Sequence, residues 1–381
     1  MEFAFTEEQQ MIRDTAESFL TDVSASEAIR AAMATEQGYD SELWSRICTE
    51  LYFQAVTIPE DFGGMGLGYV ELVAVMEQMG RFLLCAPYFS TVCMASTALL
   101  VAANEEQQAE YFGKILEGET ATLAFTANGK WDASGVEATF KKDGDSIVLN
   151  GSYRYVIDGH TAQNLVLAAR EEGTSGDDGI ALFVLPADTA GVTRTWLPTM
   201  DQTRKQAQIE LVNVALTSAN LMAENAADDL AKILDLATIC LAAEQVGGAA
   251  QILDMTVAYT KERVQFNRPV ASFQSVKHKA ADMMTKAEAA RSGVYYAACI
   301  AQDALVNGPL AGELREAASI IKSDVSDAYF QNAGDAIQLH GGVGFTWEYD
   351  VHMYFKRAKA TEHFLGNASY HRERLAELLL D

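Results

Sequence analysis

The hydrophobic and polar positions change their pattern twice along the chain, and the two changes divide it in three. Near the start, Ile12, Ala16, Phe19 and Leu20 recur at helical spacing behind Thr6 and Gln9, which form a capping-box pattern. A second helix is expected from Asp40 to Leu51, burying Leu43, Trp44, Ile47 and Leu51. Further helical patterns run from Tyr69 to Met79, Ser90 to Val101 and Glu105 to Leu116. Between them lies IPEDFGGMGLG, Ile58 to Gly68, a stretch too rich in glycine for helix or strand. From Thr120 to Leu211 the pattern becomes short β-prone runs: ATLAF, SIVLN, YRYVI, NLVLAA, GIALFVL and QIELV. Turn residues such as Lys142-Asp143-Gly144-Asp145 separate them, and the spacing suits an antiparallel sandwich or small barrel. From Ala226 onward the pattern is helical again, in four or five segments. In one of these, roughly Gly312 to Leu339, Leu314, Ala318, Ile321, Val325, Ala328, Ala333 and Ile337 share a broad face. The expected architecture is α+β: an all-α N-terminal domain over 1–118, an antiparallel β domain over 119–222 and a C-terminal four-helix bundle over 223–381.

Charge changes this picture by exclusion. With 28 Lys and Arg against 53 Asp and Glu, the formal charge of −25 argues against nucleic acid or an anionic membrane surface as partner. An anionic ligand needs local cations, and half of the 28 basic residues lie from Lys261 onward. The five cysteines, Cys48, Cys85, Cys93, Cys240 and Cys299, are odd in number and lack CxxC spacing, the usage of reduced thiols in a cytoplasmic protein. The opening MEFAFTEEQQ is acidic where a signal peptide is basic. The apolar run Leu230 to Ala243 contains Lys232 and Asp235, is too short to span a bilayer, and reads as a buried helix. No metal-ligand spacing is apparent.

The candidate chemistry begins at QLHGGVGFTWEYDVHMYFKRAK, Gln338 to Lys359. Gly341 and Gly342 end the preceding helix, supplying a left-handed turn and open backbone N–H groups of the kind that bind pyrophosphate. As a unit, the phrase resembles the C-terminal signature of the FAD-dependent acyl-CoA dehydrogenases, as does the α–β–α order of the whole chain. The resemblance implies that Gln338, Gly341 and Gly342 hold the ADP half of an FAD belonging to a neighbouring subunit. It likewise implies that Arg263, in YTKERVQFNRPVASFQ, pairs with the FAD pyrophosphate, flanked by Phe266 and followed by Gln274. Asn267 stands where the family has glycine, a mild departure because Asn tolerates left-handed geometry.

Two departures cut deeper. In the phrase that binds the flavin ring, Thr126 matches the family's threonine, but Ala127, Asn128 and Trp131 replace its Glu, Pro and Ser. In NGSYRYVIDG, Tyr155 replaces a Trp beside the ring and Ile157 a Thr that bonds to it. The family also needs a glutamate to take the α-proton of an acyl-CoA while the β-hydrogen leaves as hydride to the flavin. Its two known places fall here on Gly366 and on Ala237, and neither is acidic. Glu244, seven residues past Ala237 and ~10 Å along the axis, is a displaced candidate for which pairing with a neighbouring helix is the competing role; Glu362 is expected in an ion-pair cluster with Lys359, His363 and Arg372. Retaining the ADP clamp without either base resembles the smaller subunit of α2β2 acyl-CoA dehydrogenases such as those of steroid degradation. The implied partners are a homologous catalytic subunit, an acyl-CoA substrate and electron-transfer flavoprotein or a similar acceptor. A self-sufficient homotetramer with a displaced base, a flavin-fold enzyme of other chemistry such as an oxidase, and a structural subunit without FAD contact remain open alternatives.

Overall fold

The computed structural model of the chain describes residues 5–380. The N-terminal third is helical: α1 (Glu7–Val23), α2 (Ser26–Met33), α3 (Ser41–Thr49), α4 (Tyr69–Arg81), α5 (Thr97–Ala102) and α6 (Glu105–Leu116). Thr6 and Gln9 close the expected capping box on α1, each side chain bonding to the other's backbone N–H. The helix expected from Ser90 is partly of another kind, because Phe89–Ser96 is wound as a π-helix before α5 begins. The short α2 was not anticipated; its amphipathic pattern covers little more than two turns.

The middle third carries β1 (Ala121–Ala124), β2 (Thr139–Asp143), β3 (Ser146–Ile157), β4 (Asn164–Glu171), β5 (Ile180–Pro186), β6 (Val192–Leu197), β7 (Gln206–Thr217) and β8 (Leu221–Glu224). Among the described residues these eight strands form one sheet, ordered β6-β7-β3-β2-β4-β5-β8, with β1 also on β4. The expectation of a wholly antiparallel sheet is corrected: β4 runs parallel to both β1 and β2. Turn residues in the sequence mark hairpins, and these two pairs are joined through intervening strands instead. The runs SIVLN and YRYVI belong to one strand, β3, and Gly151 between them sits at a register shift against β7 rather than at a turn. One face of the sheet buries Phe140, Ile147, Leu149, Tyr153, Leu165, Phe183 and Ile209 in a common core.

The last third holds α7 (Ala227–Glu262), α8 (Gln274–Leu305), α9 (Leu314–His340), α10 (Val351–His363) and α11 (Ala368–Leu380), with a two-residue-per-strand hairpin, β9 (Val264–Gln265) and β10 (Arg268–Pro269), between α7 and α8. The apolar window of α7 is completely buried, as the run from Leu230 suggested. Helix α9 is central, packing on α8, α10 and α11.

By contacts the chain forms two compact units, each assembled from separated stretches. The first comprises Met1–Arg30, Tyr69–Leu84 and Thr238–Asp381; the second comprises Ala31–Gly68 and Cys85–Ala237. Within the first unit α4 and α7 touch backbone to backbone. A Cβ on Gly80 would stand 1.9 Å from the Glu244 carbonyl oxygen, and one on Gly247 would stand 1.8 Å from that of Glu77. The buried Glu77 carboxylate there accepts from Arg291 Nε at 3.0 Å and from the Tyr295 hydroxyl, with Arg13 at 3.5 Å. Within the second unit, buried Gln107 at the start of α6 donates to the Ala219 and Leu221 carbonyls beside β8, fixing the helix against the sheet.

Candidate active site

In the first unit, α7 gives way to the hairpin β9–β10, whose two turn residues, Phe266 and Asn267, have φ of 52° and 61°. Asn at this point accepts the left-handed conformation, as anticipated from its replacing glycine. The turn holds the Phe266 ring 87% exposed. The Arg263 backbone is fixed at both sides, donating to Tyr259 O at 2.9 Å and accepting from Val270 N–H at 2.8 Å. Its guanidinium lies in solvent, and among the described residues no carboxylate pairs with it. Gln274 is the exposed first residue of α8.

The glycine pair terminates α9 as expected. Gly341 has φ 64° and ψ −141°, and its N–H bonds back to the Gln338 and Ile337 carbonyls. Gln338, Gly341 and Gly342 are exposed, and a Cβ on either glycine would meet nothing within 4 Å. The turn is open to a ligand that approaches its backbone. A link that sequence reasoning missed joins this turn to the arginine. Tyr259, one helical turn before Arg263, stacks on His340 with centroids 4.2 Å apart and donates its hydroxyl to His340 O at 3.2 Å. Tyr349 meets both rings edge-on at 5.5 and 5.9 Å. Burial lowers the His340 pKa, and its ring bonds through Nδ1 to Ala336 O at 2.8 Å. The sequence shows only an aromatic beside each candidate group, Tyr259 four residues before Arg263 and His340 one before Gly341, with nothing to pair them.

Thr126 belongs to the second unit. It is buried, and its hydroxyl is occupied locally, accepting Gly129 N–H at 3.1 Å and contacting Asn128 Oδ1 at 3.3 Å. Tyr155 has φ 61° and is 43% exposed, while Ile157 is buried with its carbonyl bonded to the Thr122 hydroxyl at 2.7 Å.

Neither of the two positions that the family resemblance assigns to the base carries an acid. Ala237 is fully buried in α7. Gly366 has φ 95°, and a Cβ there would stand 2.3 Å from Tyr370 Cδ1 and 2.9 Å from His371 Nε2. The preceding Leu365, also left-handed at φ 58°, carries no acid either, so the whole turn between α10 and α11 is without a carboxylate. Glu244 is 2% exposed and bonds to Arg357 Nη1 at 2.7 Å, itself 2% exposed, in α10. It serves as half of a buried ion pair between helices. Glu362 bonds to Lys359 at 2.8 Å, but Arg372 turns instead to Asp327, so the expected four-residue cluster does not form.

Residues 6–119 and 227–380 match the family models described as the N-terminal and C-terminal domains of acyl-CoA dehydrogenase. The chain is 32% identical over 374 residues to acyl-CoA dehydrogenase IpdE2 of Mycolicibacterium smegmatis, covering 98% of each. The chain belongs to the acyl-CoA dehydrogenase family. Among solved structures of the family it is similar to a variant of the Tcur3481-Tcur3483 steroid ACAD, with a TM-score of 0.86 at 30% identity and 98% of each chain covered. It is also similar to the ChsE4-ChsE5 complex of Mycobacterium tuberculosis, with a TM-score of 0.88 at 27% identity, covering 100% of this chain and 99% of that one. The acyl-CoA dehydrogenases are FAD enzymes, and the two halves of this cofactor fit the chain unequally. The exposed arginine and open glycine turn suit a pyrophosphate. The ring-binding side offers one hydroxyl that is already bonded and an isoleucine that has none to give.

Proposed function

We propose that this acyl-CoA dehydrogenase chain is the non-catalytic subunit of a heteromeric enzyme, completing from outside the FAD site of a homologous partner that carries the glutamate. The supporting observation is the contrast just described. The groups suited to FAD phosphate stand exposed on the first unit, whereas both base positions lack an acid and Glu244 is bound to Arg357. The relatives whose structures are named as two-component assemblies, Tcur3481-Tcur3483 and ChsE4-ChsE5, support the same reading. FAD, when bound, would supply the hydride acceptor for α,β-dehydrogenation of an acyl-CoA, with an electron-transfer flavoprotein or similar protein as the implied electron acceptor. The role of this chain is positional. Arg263 would neutralise phosphate charge and the Gly341–Gly342 backbone would face the ADP moiety, with the Tyr259–His340 stack linking the two segments. On this reading the protein acts in the cytoplasm.

The test is made on the assembled complex. Arg263→Ala removes a charge-assisted bond to phosphate and is expected to weaken FAD binding by about ten- to a hundred-fold, roughly 1.5–3 kcal/mol. Turnover falls with FAD occupancy and returns with excess FAD, while KM for acyl-CoA at saturating FAD is unchanged. The chain purified alone carries substoichiometric flavin by absorbance and does not turn over acyl-CoA. A tightly bound FAD in every isolated chain, with turnover lost in Glu244→Gln, would replace this reading by the self-sufficient one.

A further inference from the structure

The middle of α9 carries a lysine with no place in the cofactor site. Lys322 is fully buried, and its Nζ lies 3.0 Å from Ser326 Oγ, 2.9 Å from Thr361 O, 3.0 Å from Glu362 O and 2.9 Å from Gly366 O. All four acceptors are neutral oxygens. The nearby carboxylates are engaged elsewhere, Glu362 with Lys359 and Asp327 with Arg372. A buried cation of this kind requires its lost hydration to be replaced, and inward-pointing carbonyl dipoles do so. Burial presses the ammonium down to about 7, opposed by the charges of Glu362 and Asp327.

The carbonyls are those a helix end leaves over. The last turn of α10 has four without intrahelical partners. The Ala360 carbonyl takes Phe364 N–H at 3.2 Å and the His363 carbonyl takes Gly366 N–H at 3.2 Å, while those of Thr361 and Glu362 go to Lys322. Beyond the helix, the Leu365 carbonyl accepts from buried His371 Nε2 at 2.8 Å and the Gly366 carbonyl from Lys322. Two side chains from α9 and α11 thus collect the inward carbonyls of a turn whose residues 365 and 366 are both left-handed.

We propose that Lys322 is the positioning residue of the α10–α11 turn, a tethered monovalent cation whose cage of four oxygens is a binding site for a free small cation once the tether is removed. Potassium and primary ammonium ions contact oxygen at closely similar lengths, so either fits the cage that the lysine head occupies. This inference concerns the shape of the turn and stands or falls independently of the subunit role.

Lys322→Ala is compared with the native chain by thermal unfolding in potassium, methylammonium and tetramethylammonium chloride at equal ionic strength. The variant is expected to unfold several degrees lower in tetramethylammonium, which neither fits nor donates, and to regain at least half of the loss in potassium or methylammonium. The native protein should respond alike to all three salts. Equal response of the variant to the three salts overturns the proposal, as does an unshifted midpoint. Where Lys322→Ala does not accumulate as folded protein, Lys322→Met and native protein labelled at lysine nitrogen decide. A caged ammonium gives one slowly exchanging Nζ–H signal that is absent in Lys322→Met. If no protected signal exists, or if Lys322→Met keeps native amide protection at residues 364–367, the turn does not depend on the cation.

Discussion

Helix α9 has two polar regions with opposite fates. At its C-terminal end Gln338 and the Gly341–Gly342 turn are exposed, and the neighbouring Arg263 has no acidic partner among the described residues. At its middle, Lys322 and Ser326 are buried and saturated, joined through Gln245 to Thr361 and lying beside the Glu244–Arg357 pair. The two regions teach different lessons about polar residues in an apolar helix. Those at the end are held by backbone geometry and leave an exposed side chain and an uncovered turn open to a ligand. Those at the middle have spent their bonding capacity within the chain, so a carboxylate found there is not thereby a catalyst.

The largest test of this contrast is Arg357→Met. It leaves the Glu244 carboxylate buried without its partner and should destabilise the chain by about 3–5 kcal/mol, measured by urea unfolding. Adding Glu244→Gln to the same chain should restore most of that loss. If the single variant costs under about 1 kcal/mol, the pair is not the closed structural contact described here. Gly366→Glu comes next. It puts a side chain at φ 95° against Tyr370, with an expected loss of roughly 2–4 kcal/mol from strain and overpacking. It should confer no dehydrogenase activity on the isolated chain; acyl-CoA-dependent dye reduction by that variant would show that the turn can house a base.

Acid should separate the regions more gently. Burial, with Lys322 adding like charge, pushes His371 from 6.5 down to about 3. Its folded pKa is depressed, so the unfolded chain binds the extra proton between those values and stability falls as pH drops through that window. At pH 5 the contribution amounts to a loss on the order of 2 kcal/mol, visible as a lower urea midpoint that His371→Gln flattens. The smallest effect belongs to the exposed end. Arg263→Ala should leave the unfolding free energy of the chain within about 0.5 kcal/mol, even as FAD affinity of the assembled enzyme falls. A large loss of stability would mean that the guanidinium serves the fold.

Much of this was legible from the residues alone. Helical periodicity located α1, α3, α4 and α6 to within a few positions, and the glycine pair marked the end of α9 because only a left-handed cap suits that place. The parallel neighbours of β4 were hidden, since strand order depends on which distant segments meet and turn residues report only hairpins. SIVLN and YRYVI read as two runs because the glycine between them, which the fold uses for a bulge, interrupts the β-prone pattern. In the site, Arg263 and the glycines carried their own chemistry. Tyr259 and His340, 81 residues apart, could not announce that they stack. The partner of Glu244 was equally silent, for an arginine in KRAK looks like a solvated helix face until the fold buries it.

The contact of α4 with α7 has a consequence in time. Where two helices meet through glycines at backbone distance, no side chain can swing aside to admit water, and the peptide groups at Glu77, Gly80, Glu244 and Gly247 become accessible only when the helices part. Each helix is held on its far side as well, α4 to α8 through the Glu77–Arg291 pair and α7 to α10 through the Glu244–Arg357 pair. The amides around this crossing are therefore expected to be the slowest in the first unit to exchange with heavy water, opening at the free energy of global unfolding, while the hairpin that carries Phe266 exchanges within its own local fluctuations.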